Sequence, residues 1–225
     1  MSNNSKLEKF KTAIHSTAKA IARSNLQEKK EKFEKISKPK IWSIGKPNLY
    51  NFTFSLLDKA NKTYDVVKSY GGMRSIEIKR NKIYLNGKPL YQRLVLDQGF
   101  YPKGIWTAPS DKDLKNDIIL SIKAGFNGAR LHEKVFEDRF HYWADKLGYI
   151  TWAEFPNWGL NENAKGSELS FMKEWPRIVN YLKNHPSIIT WTPFNETNTL
   201  ECNAQHKNLM RKAYSVTKKL DPTRP

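Results

Sequence analysis

The sequence predicts an α/β chain: about the first four βα units of a (β/α)8 TIM barrel, preceded by a small β-rich unit and an N-terminal helix. Three observations carry this. From Leu90 onward, β-prone runs alternate four times with stretches of helical periodicity. The 136 residues from Leu90 to Pro225 are half of what a closed (β/α)8 barrel needs, about 250 residues. An open doubly wound sheet of that length usually carries a glycine-rich phosphate loop, and neither G-x-G-x-x-G nor a P-loop occurs.

The elements follow in order. Residues 5–37 contain no Gly or Pro, and Leu7, Phe10, Ile14, Ala18 and Ile21 recur at three- and four-residue spacing, which predicts one amphipathic helix. Residues 1–38 are set apart as this Lys-rich helix, packing on its own domain rather than on a membrane. At Trp42 the period changes. Strands are predicted over 49–56, 65–70, 75–79 and 82–85, with a turn near Asn61-Lys62 and breaks at Gly71-Gly72 and Asn86-Gly87. The Asn-Gly pair is a strong hairpin signal. Residues 39–89 therefore form a β-rich unit with too few strands to complete a sandwich. In the third segment, 90–225, strands are expected near 93–97, 126–131, 149–155 and 188–193. Helices are expected near 111–124, 137–147, 168–183 and 203–219. Ser110 with Asp113 reads as a helix cap. Leu114, Ile118 and Ile122, then Phe140, Trp143, Ala144 and Leu147, then Phe171, Trp175, Ile178 and Leu182, mark the buried stripes.

Composition narrows the function classes. The chain of 225 residues carries 39 Lys and Arg against 22 Asp and Glu, a net charge of +17. Residues 1–40 hold eleven of the cations and four Glu, so the remainder still carries +10. Positive charge this evenly spread, with no nucleic-acid-binding motif beside it, reads as solvated Lys-rich surface, and no specific nucleic-acid partner is expected. No apolar stretch approaches a membrane span. The first 30 residues lack the apolar block and cleavage site of a secretory signal, so a cytoplasmic location is expected. The single cysteine, Cys202, permits no internal disulfide; no metal-ligand cluster is visible and no cofactor is expected.

In a βα barrel, reactive groups sit at the carboxyl ends of the strands. Those ends hold Asp97-Gln98, Arg130 with His132, Trp152-Ala153-Glu154, and Phe194-Asn195-Glu196. Carboxylates, an arginine, an amide and tryptophans converging on one mouth suit a sugar, whose C–H faces stack on indole and whose hydroxyls need fixed partners.

At these residues the sequence resembles a family. Asn184-His185-Pro186-Ser187-Ile188-Ile189-Thr190-Trp191, followed by Asn195-Glu196, resembles the acid/base signature of family-2 glycoside hydrolases, which include β-galactosidases, β-glucuronidases and β-mannosidases. Asn48-Leu49-Tyr50, Gly72-Met73-Arg74 and Leu85-Asn86-Gly87-Lys88-Pro89 resemble the end of that family's immunoglobulin-like domain. Gly125-Phe126-Asn127 with Arg130 is similar to its second barrel strand. Ala144-Asp145-Lys146-Leu147-Gly148 before Glu154-Phe155-Pro156 is similar to its third, and Asp221-Pro222-Thr223-Arg224-Pro225 to the segment before its fifth. The likeness spans residues 40–225.

The resemblance implies a retaining β-glycosidase, β-galactosidase-like, with Glu196 as the acid that protonates the leaving oxygen and then the base that activates water. Asn195 is expected to bind the sugar's 2-hydroxyl, and Arg130 and His132 to organise the site. Asp97 is expected to replace polar contacts that the family makes at the positions here occupied by Leu96 and Gln98. The histidine common three positions after the strand-two arginine is here Glu133, with His132 one place early. Glu154 is expected to support the site rather than act as nucleophile, because retention requires carboxyls about 5–5.5 Å apart on opposite sides of the bond. The family's nucleophile lies on a later strand, which the chain is expected to lack, along with the amino-terminal sugar-binding sandwich. The alternative is an inactive remnant that binds sugar or a partner chain. Unpaired outer strands predict completion by another chain or by a second copy.

Overall fold

The computed structural model describes residues 36, 38–197 and 203–225. The helix expected over 5–37 falls, apart from Ile36, outside them. From Pro39 onward the elements belong to one unit.

The β-rich segment is a chain of hairpins. β1 (Trp42–Ser43) pairs antiparallel with β2 (Lys46–Pro47), and β3 (Tyr50–Leu57) with β4 (Thr63–Gly71). The β3–β4 turn is pinned by Asp58, whose Oδ1 accepts from the amides of Ala60 and Lys62, both at 2.8 Å. β5 (Ile76–Lys79), β6 (Lys82–Leu85) and β7 (Lys88–Pro89) form a three-stranded meander. Both of its two-residue loops hold positive φ throughout: Arg80 at 47° and Asn81 at 60°, then Asn86 at 53° and Gly87 at 74°. That conformation matches the twist of the flanking strands.

The second segment is a parallel sheet of β8 (Leu94–Asp97), β9 (Gly128–Leu131), β10 (Ile150–Glu154) and β11 (Ile188–Thr192), each followed by a helix: α1 (Asp111–Lys123), α2 (Asp138–Leu147), α3 (Ser167–Leu182) and α4 (Ala204–Leu220). The strands lie side by side in chain order, with no reversal. A doubly wound sheet reverses at a switch point and puts helices on both faces; here the four helices share one face. Val95, Ala129 and Leu131 pack on Leu114, Ile118, Phe140 and Ala144. Ala153, Ile188 and Trp191 pack on Phe171, Trp175, Val179, Leu209 and Ala213. The opposite face carries Leu94, Ile150, Trp152 and Ile189, which are covered near the strands' amino ends by Trp42, Ile76 and Leu85 of the β-rich segment. Sequential order with one-sided helices is the winding of a barrel wall.

Local chemistry explains the boundaries. Ser110 caps α1 by accepting from the Asp113 amide, and its hydroxyl donates to Asp113 Oδ2 at 2.6 Å. Gly148 ends α2 at φ 70°, a conformation a side chain disfavours. Gly128 is required by closeness: a Cβ there would lie 2.3 Å from the Ile150 carbonyl oxygen and 2.7 Å from Leu94 Cδ2. The two segments are joined by hydrogen bonds to buried Asp145. Tyr70 Oη donates to its Oδ2 at 2.8 Å, His185 Nδ1 lies 2.6 Å from the same oxygen, and Trp42 Nε1 donates to its backbone carbonyl at 2.8 Å. Beyond α4, the Pro225 carbonyl accepts from the Trp191 amide at 3.0 Å, on the edge of β11 where a fifth strand would begin.

Candidate active site

The carboxyl ends of β8 to β11 gather a hydrogen-bonded assembly whose centre is Glu154. Its side chain is fully buried at the end of β10. One carboxylate oxygen, Oε2, accepts from Arg130 Nε at 2.6 Å; the other accepts from the Glu133 amide at 3.0 Å. Two charge-assisted contacts on one carboxylate fix its orientation and leave it little freedom to approach a substrate. Arg130 uses a second nitrogen, Nη2, to donate to Asn195 Oδ1. Parallel register places Trp152 of β10 beside Arg130 of β9, so one guanidinium spans from the second strand to the loop after the fourth.

Asn195 is held on every side but one. Its backbone amide donates to Asn157 Oδ1 at 2.7 Å, and its carbonyl accepts from Asn157 Nδ2 at 3.3 Å. Asn157 Nδ2 also donates to Glu162 Oε1 at 2.8 Å. Because the arginine can only donate, Asn195 must turn its oxygen toward Arg130, which directs the amide nitrogen the other way. That Nδ2 is buried and has no hydrogen-bond partner among the described residues. A buried unpaired donor costs about 1–3 kcal/mol, so Nδ2 is a donor whose hydrogen bond is left unused at the wall of the cleft.

Glu196 follows directly, in the left-handed region at φ 46°. Its side chain is solvent-exposed and faces a cleft of about 200 Å³ that also touches Asn195, Asn157 and Trp158. Glu133, at φ 53°, is a second non-glycine residue in that conformation. Two such glutamates at one mouth are backbone strain gathered at a site.

His132 is buried. Its Nδ1 lies 3.1 Å from Gln98 Nε2, and its ring meets the Trp158 indole edge-on at 5.1 Å between centroids. These residues, with Glu133, Phe100 and Trp106, bound an adjoining cleft of about 280 Å³. Trp158 is the shared wall of the two clefts. Trp158, Trp106 and Phe100 are all well exposed, which gives indole and phenyl faces for sugar C–H bonds.

The structure thus brings Arg130, Glu154, Asn195 and Glu196 together, with His132 beside them. Asp97 is placed elsewhere. It pairs in register with Leu131, whose side chain is in the helix-facing core, so the Asp97 carboxylate lies on that side of the sheet. There it accepts from the Gly99 amide at 2.9 Å, and burial raises its pKa. The substrate contact expected of Asp97 is corrected to a turn-stabilising role. Three contributors escaped the sequence reading: Asn157, Trp158 and Trp106. All lie in loops without periodicity. The one available signal was Pro156, which stops the third strand and places the next polar and aromatic residues at its carboxyl end. Among the described residues no group of three or more His, Cys, Asp or Glu is arranged to hold a metal ion. Among them too, no helix is long and apolar enough to cross a membrane.

Comparison with known proteins gives the family. Residues 3–74 match the model for glycosyl hydrolases family 2, and residues 76–225 match that family's TIM barrel domain. A β-galactosidase of Pseudoalteromonas haloplanktis is 32% identical over 198 residues, and one of Photobacterium profundum 29% identical; each match covers 84% of this chain and 18% of the relative. The chain therefore spans about a fifth of the length of these curated relatives. Among solved structures, a Bacteroides uniformis β-glucuronidase covalently bound to cyclophellitol-6-carboxylate aziridine superposes with a TM-score of 0.75 at 25% identity, over 84% of this chain and 24% of that one. A β-D-glucuronidase of Dictyoglomus thermophilum gives 0.75 at 24% identity, over 84% of this chain and 34% of the other, and shows the shared fold. With its TIM barrel model matched over two thirds of the sequence, the chain belongs to the family-2 glycosyl hydrolases.

Proposed function

We propose that this chain carries the acid/base side of the active site of a retaining β-glycosidase that acts on β-galactosides or related β-linked sugars. The observation that carries the reading is Asn195: backbone clamped by Asn157, side-chain oxygen held by Arg130, and buried Nδ2 left to donate beside Glu196. In this reading Nδ2 donates to the sugar's 2-hydroxyl, a contact that strengthens as charge develops at the anomeric carbon. Glu196 transfers its proton to the leaving oxygen, then takes one from the attacking water. A general acid must hold its proton near neutral pH, which burial favours. Glu154, with both oxygens engaged, orients Arg130 and the Glu133 loop. The nucleophile that the family resemblance expects belongs to a later strand than β11.

The test is hydrolysis of an aryl β-galactoside by the chain supplied with the later barrel strands that carry the nucleophile, with and without Glu196→Gln. Loss of turnover by about 10²–10⁴-fold in the variant supports the reading; turnover that survives the substitution overturns it. The exposure of Glu196 favours a second reading, a sugar-binding remnant without catalysis, and sugar binding with no turnover in either protein would establish that instead.

A further inference from the structure

The aromatic cleft beside Glu196 has a charge character of its own. Its lining includes no Lys or Arg. Two cations on the same strand end are committed to protein partners: Lys134 Nζ donates to the Trp106 and Gly99 carbonyls at 2.9 and 3.3 Å, and Arg130 is bound by Glu154 and Asn195. The lining does include one carboxylate, Glu133. Its Oε2 accepts from the Trp158 amide at 2.9 Å, while Oε1 is buried without a well-aligned hydrogen bond, and the Asn157 amide also faces the carboxylate. Around it stand the faces of Trp106, Trp158 and Phe100 and the polar pair Gln98–His132.

We infer that Glu133 sets sugar specificity in this cleft, accepting a hydroxyl of an uncharged β-glycoside and repelling a uronate. The inference rests on the proposed sugar site and names the class of sugar it takes. A hydroxyl donated to a carboxylate is a charge-assisted bond, and the Glu133 carboxylate at the cleft wall keeps lone pairs for it. A sugar carboxylate in the same cleft meets a like charge, with no cation on the lining to offset its desolvation. Burial pushes the Glu133 carboxyl up from its ordinary value, opposed by the Trp158 amide, and the Glu154 charge pushes in the same direction as burial. An added anion works against an already crowded carboxylate.

The experiment titrates the chain with methyl β-D-galactopyranoside and with methyl β-D-glucopyranosiduronate at neutral pH, followed by tryptophan fluorescence or calorimetry. The wild type is expected to bind the neutral glycoside at least tenfold more tightly, about 1.4 kcal/mol. Glu133→Gln keeps the volume and the acceptor for Trp158 and is expected to narrow that ratio by at least fivefold. Glu133→Asp keeps the charge and is expected to retain the preference, a pattern that a merely structural role would not produce. Uronate binding equal to or tighter than neutral-sugar binding in the wild type overturns the inference, as does a ratio unchanged in Glu133→Gln or no binding of either sugar. Turnover lost in Glu196→Gln with an unchanged ratio in Glu133→Gln sinks the specificity inference alone. A ratio that tracks the charge at position 133, without turnover, supports it and sinks the catalytic reading alone.

Discussion

Removing the Arg130 guanidinium tests whether the assembly at the strand ends is held as described. Glu154 is fully buried and Arg130 is 30% exposed, with 2.6 Å between Nε and Oε2. With charge centres about 4 Å apart and an effective dielectric near 20, their attraction is about 4 kcal/mol. Solvent at the exposed part of Arg130 screens this, and Glu154 keeps the Glu133 amide as a donor. We expect Arg130→Met to cost about 2–3 kcal/mol, below the roughly 3–5 kcal/mol for orphaning one partner of a fully buried pair because of that screening and the remaining donor. With a urea m-value of about 2 kcal/mol/M for a domain of this size, the unfolding midpoint falls by about 1–1.5 M. Glu154→Gln alone removes the counter-charge of Arg130, which keeps Asn195 as an acceptor at a partly wet site, and costs less. The double variant closes a cycle in which at least about 1 kcal/mol of coupling is expected. A midpoint shift below about 0.3 M for Arg130→Met, or additive single effects, would refute the assigned coupling.

Further outcomes follow from other contacts. Thr217 Oγ1 accepts from the buried Trp175 Nε1 at 2.7 Å, so Thr217→Val leaves that donor unpaired and costs about 1–3 kcal/mol in urea unfolding. Ser110→Ala removes the α1 cap, with an expected loss of about 1 kcal/mol and a fall of about 2–4 °C in Tm. Gly128→Ala forces a methyl onto the Ile150 carbonyl oxygen and separates neighbouring strands; the expected loss is about 1–3 kcal/mol, seen as a lower urea midpoint. Burial lowers the pKa of His141 from 6.5 to about 3, helped by the neighbouring His185. Between those values the unfolded chain binds the extra proton, so this contribution to stability is complete above pH 6.5 and is lost as pH falls toward 3. His141→Leu should flatten that part of the stability–pH curve; an unchanged slope would contradict the assignment.

Much of the fold could be read from periodicity because the elements bury one face each. The stripes of α1 to α3, apart from Ile122, which the last turn of α1 leaves exposed, and the four parallel strands stand within about two residues of expectation. What was not legible depends on contacts distant in sequence. The Arg80-Asn81 turn contains no glycine, so its sequence carries no strong hairpin signal. Asp97 was placed in the mouth because it closes a strand, but a four-residue strand gives alternation too little length to show which face its last residue takes. Asn157 acts through the backbone of Asn195, 38 residues away, and Trp158 through a wall shared by two clefts. Loop residues of this kind show their role only once the strand ends have been brought together.

The Nδ2 of Asn195 is the donor at the centre of the proposed site, and a paired affinity measurement reaches it without relying on turnover. Methyl β-D-galactopyranoside and its 2-deoxy analogue are titrated against the wild type and Asn195→Ala. We predict that the wild type binds the 2-hydroxylated sugar about five- to tenfold more tightly, the worth of one hydrogen bond, and that the difference disappears in Asn195→Ala. Equal affinities in the wild type, or a preference that persists after the amide is removed, would contradict it.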